Sequence, residues 1–449
     1  MFVSDTIAAI STALGQGAIA VLRVSGPEAR ALVDRVVSDR DLLKAEPRRA
    51  YYASLADPEG SVIDQVLVTV FAGPHSYTGE DLVEISCHGG VLVTKTIFDL
   101  LLATGCRAAE PGEFTQRSFL NGKMDLTQAE AVMDLIGAQT SLALRAANQQ
   151  LRGHLGDAMG SLREDLIGIV AHIEAYIDFP EEDIDPDTGE SLRGRLRDLG
   201  GRMGDLLASA DRGRILREGA RVVICGEPNV GKSSLLNVLL GFERAIVSDT
   251  AGTTRDTIEE VINLKGIPLR LIDTAGLHES SDQIEQQGMQ RTAEALADAD
   301  VVIEVIDGHA SPSTQEPLRK DEHQALWIRL LNKSDLGIDE RHAMEESIAF
   351  SCTDRSGLDT LTDTIAAALL DREEGWQTQM VAINARHQRC LSRAREACER
   401  AERGMSEGLE PEFVATDLRE ALEAVGEVVG KVDVEEILGE IFGSFCIGK

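Results

Sequence analysis

The chain has 449 residues, 43% of them hydrophobic but only 4% aromatic, and a formal charge of −32. That length allows about three domains, with cores built from aliphatic side chains. The acidity excludes a broad basic surface for gripping nucleic acid, so any RNA contact must be local or shared with a basic partner. No apolar run reaches the roughly 20 residues of a membrane span, and Met1-Phe2-Val3-Ser4-Asp5 lacks the basic stretch and apolar core of a signal peptide. Seven cysteines without a C-x-x-C pair indicate neither a zinc site nor a disulfide framework. The expectation is a cytoplasmic protein that does not touch a membrane.

In chain order, residues 1–120 read as an α+β segment. Ala18–Val24, Gln65–Phe71 and Leu82–Ser86 are strand-like, and a helix is predicted over Val91–Ala103. Arg23, Glu84 and His88 lie in or beside these strands, where position alone assigns them structural or surface roles. Near Asp125 the pattern changes. Thr127-Gln128-Ala129-Glu130 reads as a capping box opening a long helical stretch, which breaks at Phe179-Pro180 because proline cannot continue a helix. A further helix is predicted over 189–213. Past a compact module at 216–375, helices are predicted at 378–404, at 412–429 opened by Pro411, and at 433–442. Helix on both sides of the module reads as an insertion. Residues 121–215 and 376–449 then form one helical domain interrupted by 216–375, and the fold class is multidomain α/β and α.

Inside the module, Gly226-Glu227-Pro228-Asn229-Val230-Gly231-Lys232-Ser233-Ser234 fits the phosphate-binding pattern G-x-x-x-x-G-K-[ST]. It follows the β-branched run Arg221–Cys225 and precedes the helix-like run Ser234–Leu240, the strand–loop–helix setting the motif needs. Successive N–H groups and a helix N-terminus would face phosphate. Lys232 would reach the β- and γ-phosphates, and the Ser233 hydroxyl would hold Mg²⁺. Asp273-Thr274-Ala275-Gly276 ends a second strand-like run, with Asp273 for the Mg²⁺ shell and the Gly276 amide for the γ-phosphate. Asn332-Lys333-Ser334-Asp335 ends a third. The Asp335 carboxylate can accept both the ring N–H and the exocyclic amine of guanine, an amine adenine lacks. Together the motifs predict GTP rather than ATP.

The hydrolytic machinery is less regular. Leu277 stands where many GTPases carry a glutamine that orients water, so another polar group is needed, and His278 to Glu285 holds several. Thr254 could complete the Mg²⁺ shell. Arg255 shares its loop, but no arginine finger is evident. Asn229 is a neutral oxygen donor suited to a monovalent ion, which could supply the missing charge.

The whole sequence resembles the bacterial tRNA-modification GTPases called MnmE or TrmE. The resemblance rests on Ser76-Tyr77-Thr78-Gly79-Glu80-Asp81, His88-Gly89-Gly90, Pro111-Gly112-Glu113-Phe114 and Phe119 to Leu126. It rests further on Asp178 to Ile184, Asp249 to Asp256, Asp273 to Leu277 and the terminal Phe445-Cys446-Ile447-Gly448-Lys449. It implies an N-terminal domain, 1–120, that binds a tetrahydrofolate (5-formyl or methylene form) through Arg23, Glu84, Lys123 and Lys449 and makes the homodimer. It implies nucleotide contacts by Asn229, Gly231, Lys232, Ser233, Ser234, Thr254, Asp273, Gly276, Asn332, Lys333, Asp335 and Ser351. A K⁺ ion on Asn229, Ser248, Thr250 and Thr253 replaces the arginine finger as two GTPase domains meet. Glu285 places the water, Arg255 and Asp256 support that arrangement, and Cys446 serves the modification. With a flavoprotein partner of the MnmG (GidA) type, in a heterotetramer or larger assembly, such proteins put an aminomethyl or carboxymethylaminomethyl group on the wobble uridine of tRNA. Ser351-Cys352-Thr353, His278 and Glu227 depart from the family pattern. An alternative is a regulatory GTPase acting as a switch in ribosome assembly, but that class usually carries a basic RNA-binding module.

Overall fold

The computed structural model describes residues 5–178, 190–241, 259–273, 295–311, 325–342, 347–370, 382–431, 441–442, 445 and 447–448. They form two compact units: Met1–Met133 with Leu155–Gly168 and Leu422–Lys449, and Asp134–His154 with Ile169–Ala421.

The first unit is organised by a sheet of β1 (Ile7–Ile10), β2 (Ile19–Ser25), β3 (Ala50–Ala56), β4 (Val62–Phe71), β5 (Leu82–His88) and β6 (Arg107–Ala108), ordered β3-β4-β5-β2-β1-β6. Neighbours are antiparallel except β1 and β6. Alternation gives each face its role. Leu22 and Val24, Val66 and Val68, and Val83 and Ile85 enter the core beneath α1 (Ala29–Asp34) and α2 (Val91–Ala103). The α2 limits are those predicted. The opposite face carries Val21, Arg23, Leu67, Thr69, Glu84 and Ser86. One end of it is closed by Ile7, Ala9, Leu82 and Phe114 of α3 (Glu113–Leu120) with Phe71 and Tyr77. Farther along it is uncovered, with Ile19 66% and Leu67 48% exposed.

The helix expected to open with a capping box at Thr127 opens earlier. In α4 (Leu126–Gly137) the reciprocal pair is Asp125 and Gln128. Asp125 Oδ1 accepts the Gln128 N–H at 2.9 Å, and Gln128 Oε1 accepts the Asp125 N–H at 2.9 Å. Thr127 donates its hydroxyl to the same Asp125 oxygen, so it supports the cap and is not the cap. The long helical stretch that follows is divided into three helices. Thr140 caps a separate α5 (Ser141–Leu151), and Gly153, at φ +92°, separates that from α6 (His154–Asp178). The helix predicted over 189–213 is two, α7 (Glu190–Ala208) and α8 (Ala210–Glu218).

In the second unit β7 (Ala220–Cys225), β8 (Glu259–Leu264), β9 (Ile267–Asp273), β10 (Val301–Asp307), β11 (Leu326–Asn332) and β12 (Ile348–Ala349) are ordered β12-β11-β10-β7-β9-β8. All pairs are parallel except β8 with β9. The strand order reverses at β7, so a crevice opens at the carboxyl ends of β7, β9, β10 and β11, where ligands bind in such sheets. With α9 (Lys232–Leu240) and α10 (Leu358–Leu370) this is the P-loop GTPase fold predicted for the module.

Two close approaches tie the module to helices of the same unit. A Cβ at Gly213 of α8 would lie 2.8 Å from the Ile383 carbonyl, so the chain leading into the module and the chain leaving it touch there. The β8–β9 turn at Lys265-Gly266 has φ +51° and +94°, and a Cβ at Gly266 would lie 2.8 Å from Leu142 Cγ of α5. Strained backbone plus overpacking should make Gly266→Val cost about 2–4 kcal/mol. A lower midpoint of denaturant unfolding is the expected readout, and an unchanged midpoint would show that the contact yields freely.

The helix predicted from residue 378 is found as α11 (Ala385–Glu407), with 371–381 outside the described residues. It starts at Ala385 because Asn384 and His387 form a reciprocal capping box, and it ends where Gly408 turns left-handed. α12 (Pro411–Val429) matches its prediction, with proline at the first helical position. Most of the predicted 433–442 helix lies outside the described residues. Among the described residues no helix is long and apolar enough to cross a membrane.

Candidate functional site

The crevice of the second unit is built by the loop after β7. Gly226 and Gly231 have φ +141° and +105°, which glycine adopts without cost. A Cβ at Gly226 would sit 2.2 Å from the Val305 carbonyl, and one at Gly231 2.2 Å from Asn332 Nδ2. No side chain caps α9, so its first N–H groups remain available to an anion. This cradle, which any Cβ would fill, fits a phosphate chain. Lys232 Nζ donates to the carbonyls of Gly226 and Glu227 at 2.9 and 2.8 Å, which stations the ammonium across the loop. Ser233 and Ser234 lie exposed on the first turn of α9. Asn229 is exposed in a left-handed conformation, φ +66°.

The four residues predicted near the base, Asn332, Lys333, Asp335 and Ser351, divide by role. Asn332 is 3% exposed. Its Nδ2 donates to the Val230 carbonyl at 2.7 Å, and its Oδ1 accepts the Cys352 N–H at 3.3 Å. It therefore joins the phosphate loop to the loop after β12 and does not face outward. Lys333 donates to Asp307 Oδ2 at 2.6 Å. Burial raises the Asp307 carboxyl, but Lys333 and the N–H groups of His309 and Ala310 outweigh it and hold the group below the usual range. Ser351 is fully buried, and its Oγ accepts N–H bonds from Thr353 and Asp354 at 3.2 and 3.4 Å. Of the four, only Asp335 is exposed, in a short turn over Ser334–Leu336. Cys352 is half-buried beside it, and burial pushes its thiol up. Asp307 escaped sequence reading although it ends an apolar strand as Asp273 does. Asp273 itself lies opposite Ile224 at the end of β9. Ser248, Thr250, Thr253, Thr254, Arg255, Asp256, Gly276 and Glu285 lie outside the described residues.

A second polar site lies in the first unit. Arg23 and Glu84 are opposite each other on β2 and β5 and pair at 2.8 Å, with side chains 24% and 28% exposed. The Arg23 guanidinium lies 5.6 Å from the centre of the Tyr77 ring. Burial pushes the Tyr77 phenol up, and its hydroxyl bonds Thr115 Oγ1 at 2.9 Å. Lys123 donates to the Pro74 carbonyl at 2.9 Å and packs beneath Gly79. Arg23 and Glu84 are thus together, and Lys123 holds the loop that carries Tyr77. A polar, partly open pair beside an aromatic ring fits a heterocycle with both donors and acceptors. Lys449 and Cys446 lie outside the described residues. Their neighbour Gly448 accepts a bond from Ser11 Oγ at 3.0 Å, and Ile447 bridges Pro111.

An ion network behind this site escaped sequence reading. Arg117, 6% exposed, donates to Asp5 Oδ1 at 2.6 Å, Glu113 Oε1 at 2.8 Å and Glu80 Oε1 at 3.2 Å. Arg107 pairs with Asp5 and Glu113. Glu80 also accepts from Ser25 Oγ at 2.8 Å. Glutamates inside the Thr-Gly-Glu-Asp and Pro-Gly-Glu-Phe stretches were the available signal.

The family model described as the MnmE helical domain matches residues 126–446, and that described as the GTP-binding protein TrmE N-terminus matches residues 6–123. A tRNA modification GTPase MnmE of Akkermansia muciniphila is 52% identical over 447 residues, covering 99% of both chains. Proteins of the same name from Natranaerobius thermophilus and Geobacter sulfurreducens are each 43% identical, over 99% of both chains and 100% of both chains respectively.

Proposed function

The chain belongs to the MnmE family, and from that premise we propose that it is the GTP-hydrolysing subunit of the enzyme that installs an aminomethyl or carboxymethylaminomethyl group at carbon 5 of wobble uridine 34 in certain tRNAs. Its family makes it a GTPase of tRNA modification. The observation that carries the nucleotide assignment is the glycine cradle spanned by Lys232, which the buried Asn332 ties at Val230 to the strand end that exposes Asp335.

In that crevice Gly231, Lys232 and Ser234 bind the phosphates, Asp335 reads guanine, and Asn332, Lys333 and Ser351 fix the loops around the base. Ser233 and Thr254 would hold Mg²⁺, and Asp273 would serve its shell. Asn229, Ser248, Thr250 and Thr253 hold K⁺. When bound, the two cations would supply the positive charge that phosphoryl transfer needs where an arginine finger is lacking. Glu285 orients the attacking water, supported by Arg255 and Asp256, and the Gly276 amide meets the γ-phosphate.

The first unit takes a tetrahydrofolate derivative on Arg23, Glu84, Lys123 and Lys449, and Cys446 acts in the modification. The same unit makes the homodimer. The domains follow the divisions 1–120, 121–215, 216–375 and 376–449. A basic flavoprotein of the MnmG type would supply most of the tRNA grip that a chain of charge −32 lacks.

The test is nucleoside mass analysis of total tRNA from cells lacking this chain, before and after its restoration. Loss and return of 5-substituted wobble uridines is expected, and their persistence in the deletion would overturn the proposal. In vitro, hydrolysis should be fast in K⁺ and slow in Na⁺, and equal rates would remove the K⁺ assignment.

A further inference from the structure

One structured side-chain pair on the first unit has no part in the sites above. Asp64 of β4 and His88 at the end of β5 are joined twice: Asp64 Oδ2 accepts the His88 backbone N–H at 2.8 Å, and Asp64 Oδ1 lies 2.7 Å from His88 Nδ1. The carboxylate is 10% exposed and the imidazole 74%. Oδ1 also accepts the Gln65 N–H at 2.8 Å, so the carboxylate is held in place. The histidine backbone is held as well. Ile19 faces it in register, and the next residue, Gly89, exchanges bonds with Gly17 and Ala18 at 2.8 and 3.3 Å. A Cβ at Gly89 would fall 2.5 Å from the Gly17 carbonyl. An exposed imidazole is ordinarily free to change rotamer, and fixing it costs entropy. Here two strands and a carboxylate fix it, and the described residues give Nε2 no hydrogen-bond partner.

The position of the pair is informative. Strand alternation puts Glu84, Ser86 and His88 on one face, with about 13 Å from the first to the last at ~3.3 Å per residue. Val21 and Leu67 flank Ser86 in register, so the floor between the two ends is small and largely apolar. One end is the Arg23–Glu84 pair under Tyr77, and the other is the His88–Asp64 pair. When protonated, the ring donates from both nitrogens, Nδ1–H to Asp64 and Nε2–H outward to an anion.

We propose that His88, oriented by Asp64, anchors the glutamyl carboxylate of a reduced folate laid along this face with its pterin ring at Arg23 and Glu84. The inference rests on the folate reading of this unit and adds to it a second subsite and a direction. The order of chemistry along the face is hydrogen-bonding head, flat apolar middle and anionic tail, which is the order of pterin, p-aminobenzoyl and glutamate.

The test uses the full chain and two ligands, 5-formyl-tetrahydrofolate and the matching 5-formyl-tetrahydropteroate, which lacks the glutamate. The intact protein should bind the folate about tenfold or more tightly than the pteroate, the worth of a charge-assisted hydrogen bond. His88→Gln should remove most of that preference and leave pteroate affinity and GTP hydrolysis within about twofold. Asp64→Asn should lose part of it. If His88→Gln keeps the preference, or if it loses both ligands equally, the subsite is overturned while the folate reading stands. If the intact protein binds neither ligand, the folate reading itself fails and takes this inference with it.

Discussion

Asp335→Asn is expected to weaken GTP binding by about 10²- to 10⁴-fold and to admit xanthosine triphosphate in its place. The carboxylate would accept two hydrogen bonds from guanine, each worth about 1.5–3 kcal/mol when one partner is charged, and about 3–6 kcal/mol converts to that range. An amide in the same position presents a donor where guanine also presents a donor. Xanthine carries a carbonyl at that carbon, so the same amide suits it. Folding should be untouched, because Asp335 is exposed in its turn while its neighbours make the structural contacts. Asn332 is the informative contrast. Asn332→Ala would leave the Val230 carbonyl and the Cys352 N–H without their partner, and should lower both nucleotide affinity and thermal stability without any gain for xanthosine triphosphate. Titration of both variants with both nucleotides checks the pair of expectations. Unchanged GTP affinity in Asp335→Asn would remove the guanine assignment, and a xanthosine gain in Asn332→Ala would reverse the roles given to the two residues.

The motifs that could be read in the sequence are those whose spacing is itself the mechanism. Gly226 to Ser233 must be a loop between strand and helix, and its glycines are where a Cβ would collide. The GTPase sheet followed from apolar runs that end at Cys225, Asp273 and Asn332. Roles were harder to read than places. Asn332, Lys333 and Ser351 look like base contacts in a motif, yet all three are bonded inward, because the partners they meet are a carbonyl at Val230, a carboxylate at Asp307 and N–H groups at Thr353 and Asp354. No local pattern announces such partners. Helix boundaries failed for a similar reason. Thr127 and Glu130 satisfy the capping pattern as well as Asp125 and Gln128 do, and only the observed hydrogen bonds choose between them. In the first unit, Arg23 and Glu84 are 61 residues apart and carried no local signal, since cross-strand register brings them together.

The largest effect on stability is expected at Arg117. Its guanidinium serves Asp5, Glu80 and Glu113, and Glu113 is itself only 6% exposed. Arg117→Met keeps most of the volume but leaves Glu113 and Glu80 short of a cation. Removing one partner of a buried ion pair costs about 3–5 kcal/mol, because the remaining charge is uncompensated. Arg107 still reaches Asp5 and Glu113, which sets the loss nearer the lower figure. The pH dependence distinguishes this from a mere packing defect. Burial raises the carboxyls of both Asp5 and Glu113, but in each case hydrogen bonds and charge from Arg107 and Arg117, with the Glu110 N–H at Glu113, more than offset it and leave the pKa lowered. A carboxyl held low in the folded state stabilises it above its unfolded pKa, about 4, and that stabilisation disappears as pH falls through the lower folded value. The intact protein should therefore lose stability as pH drops below about 4, whereas the variant should show a shallower fall and a gap from the intact protein that narrows toward low pH. Arg117→Lys should recover only part of the loss, since an ammonium cannot reproduce the fork that spans Asp5 and Glu113. Because Arg117 holds Glu80 in the loop that carries Tyr77, Arg117→Met should weaken ligand binding at Arg23 and Glu84 while leaving GTP affinity in the second unit unchanged. A gap from the intact protein that is constant with pH would show that the ion network contributes volume and not charge.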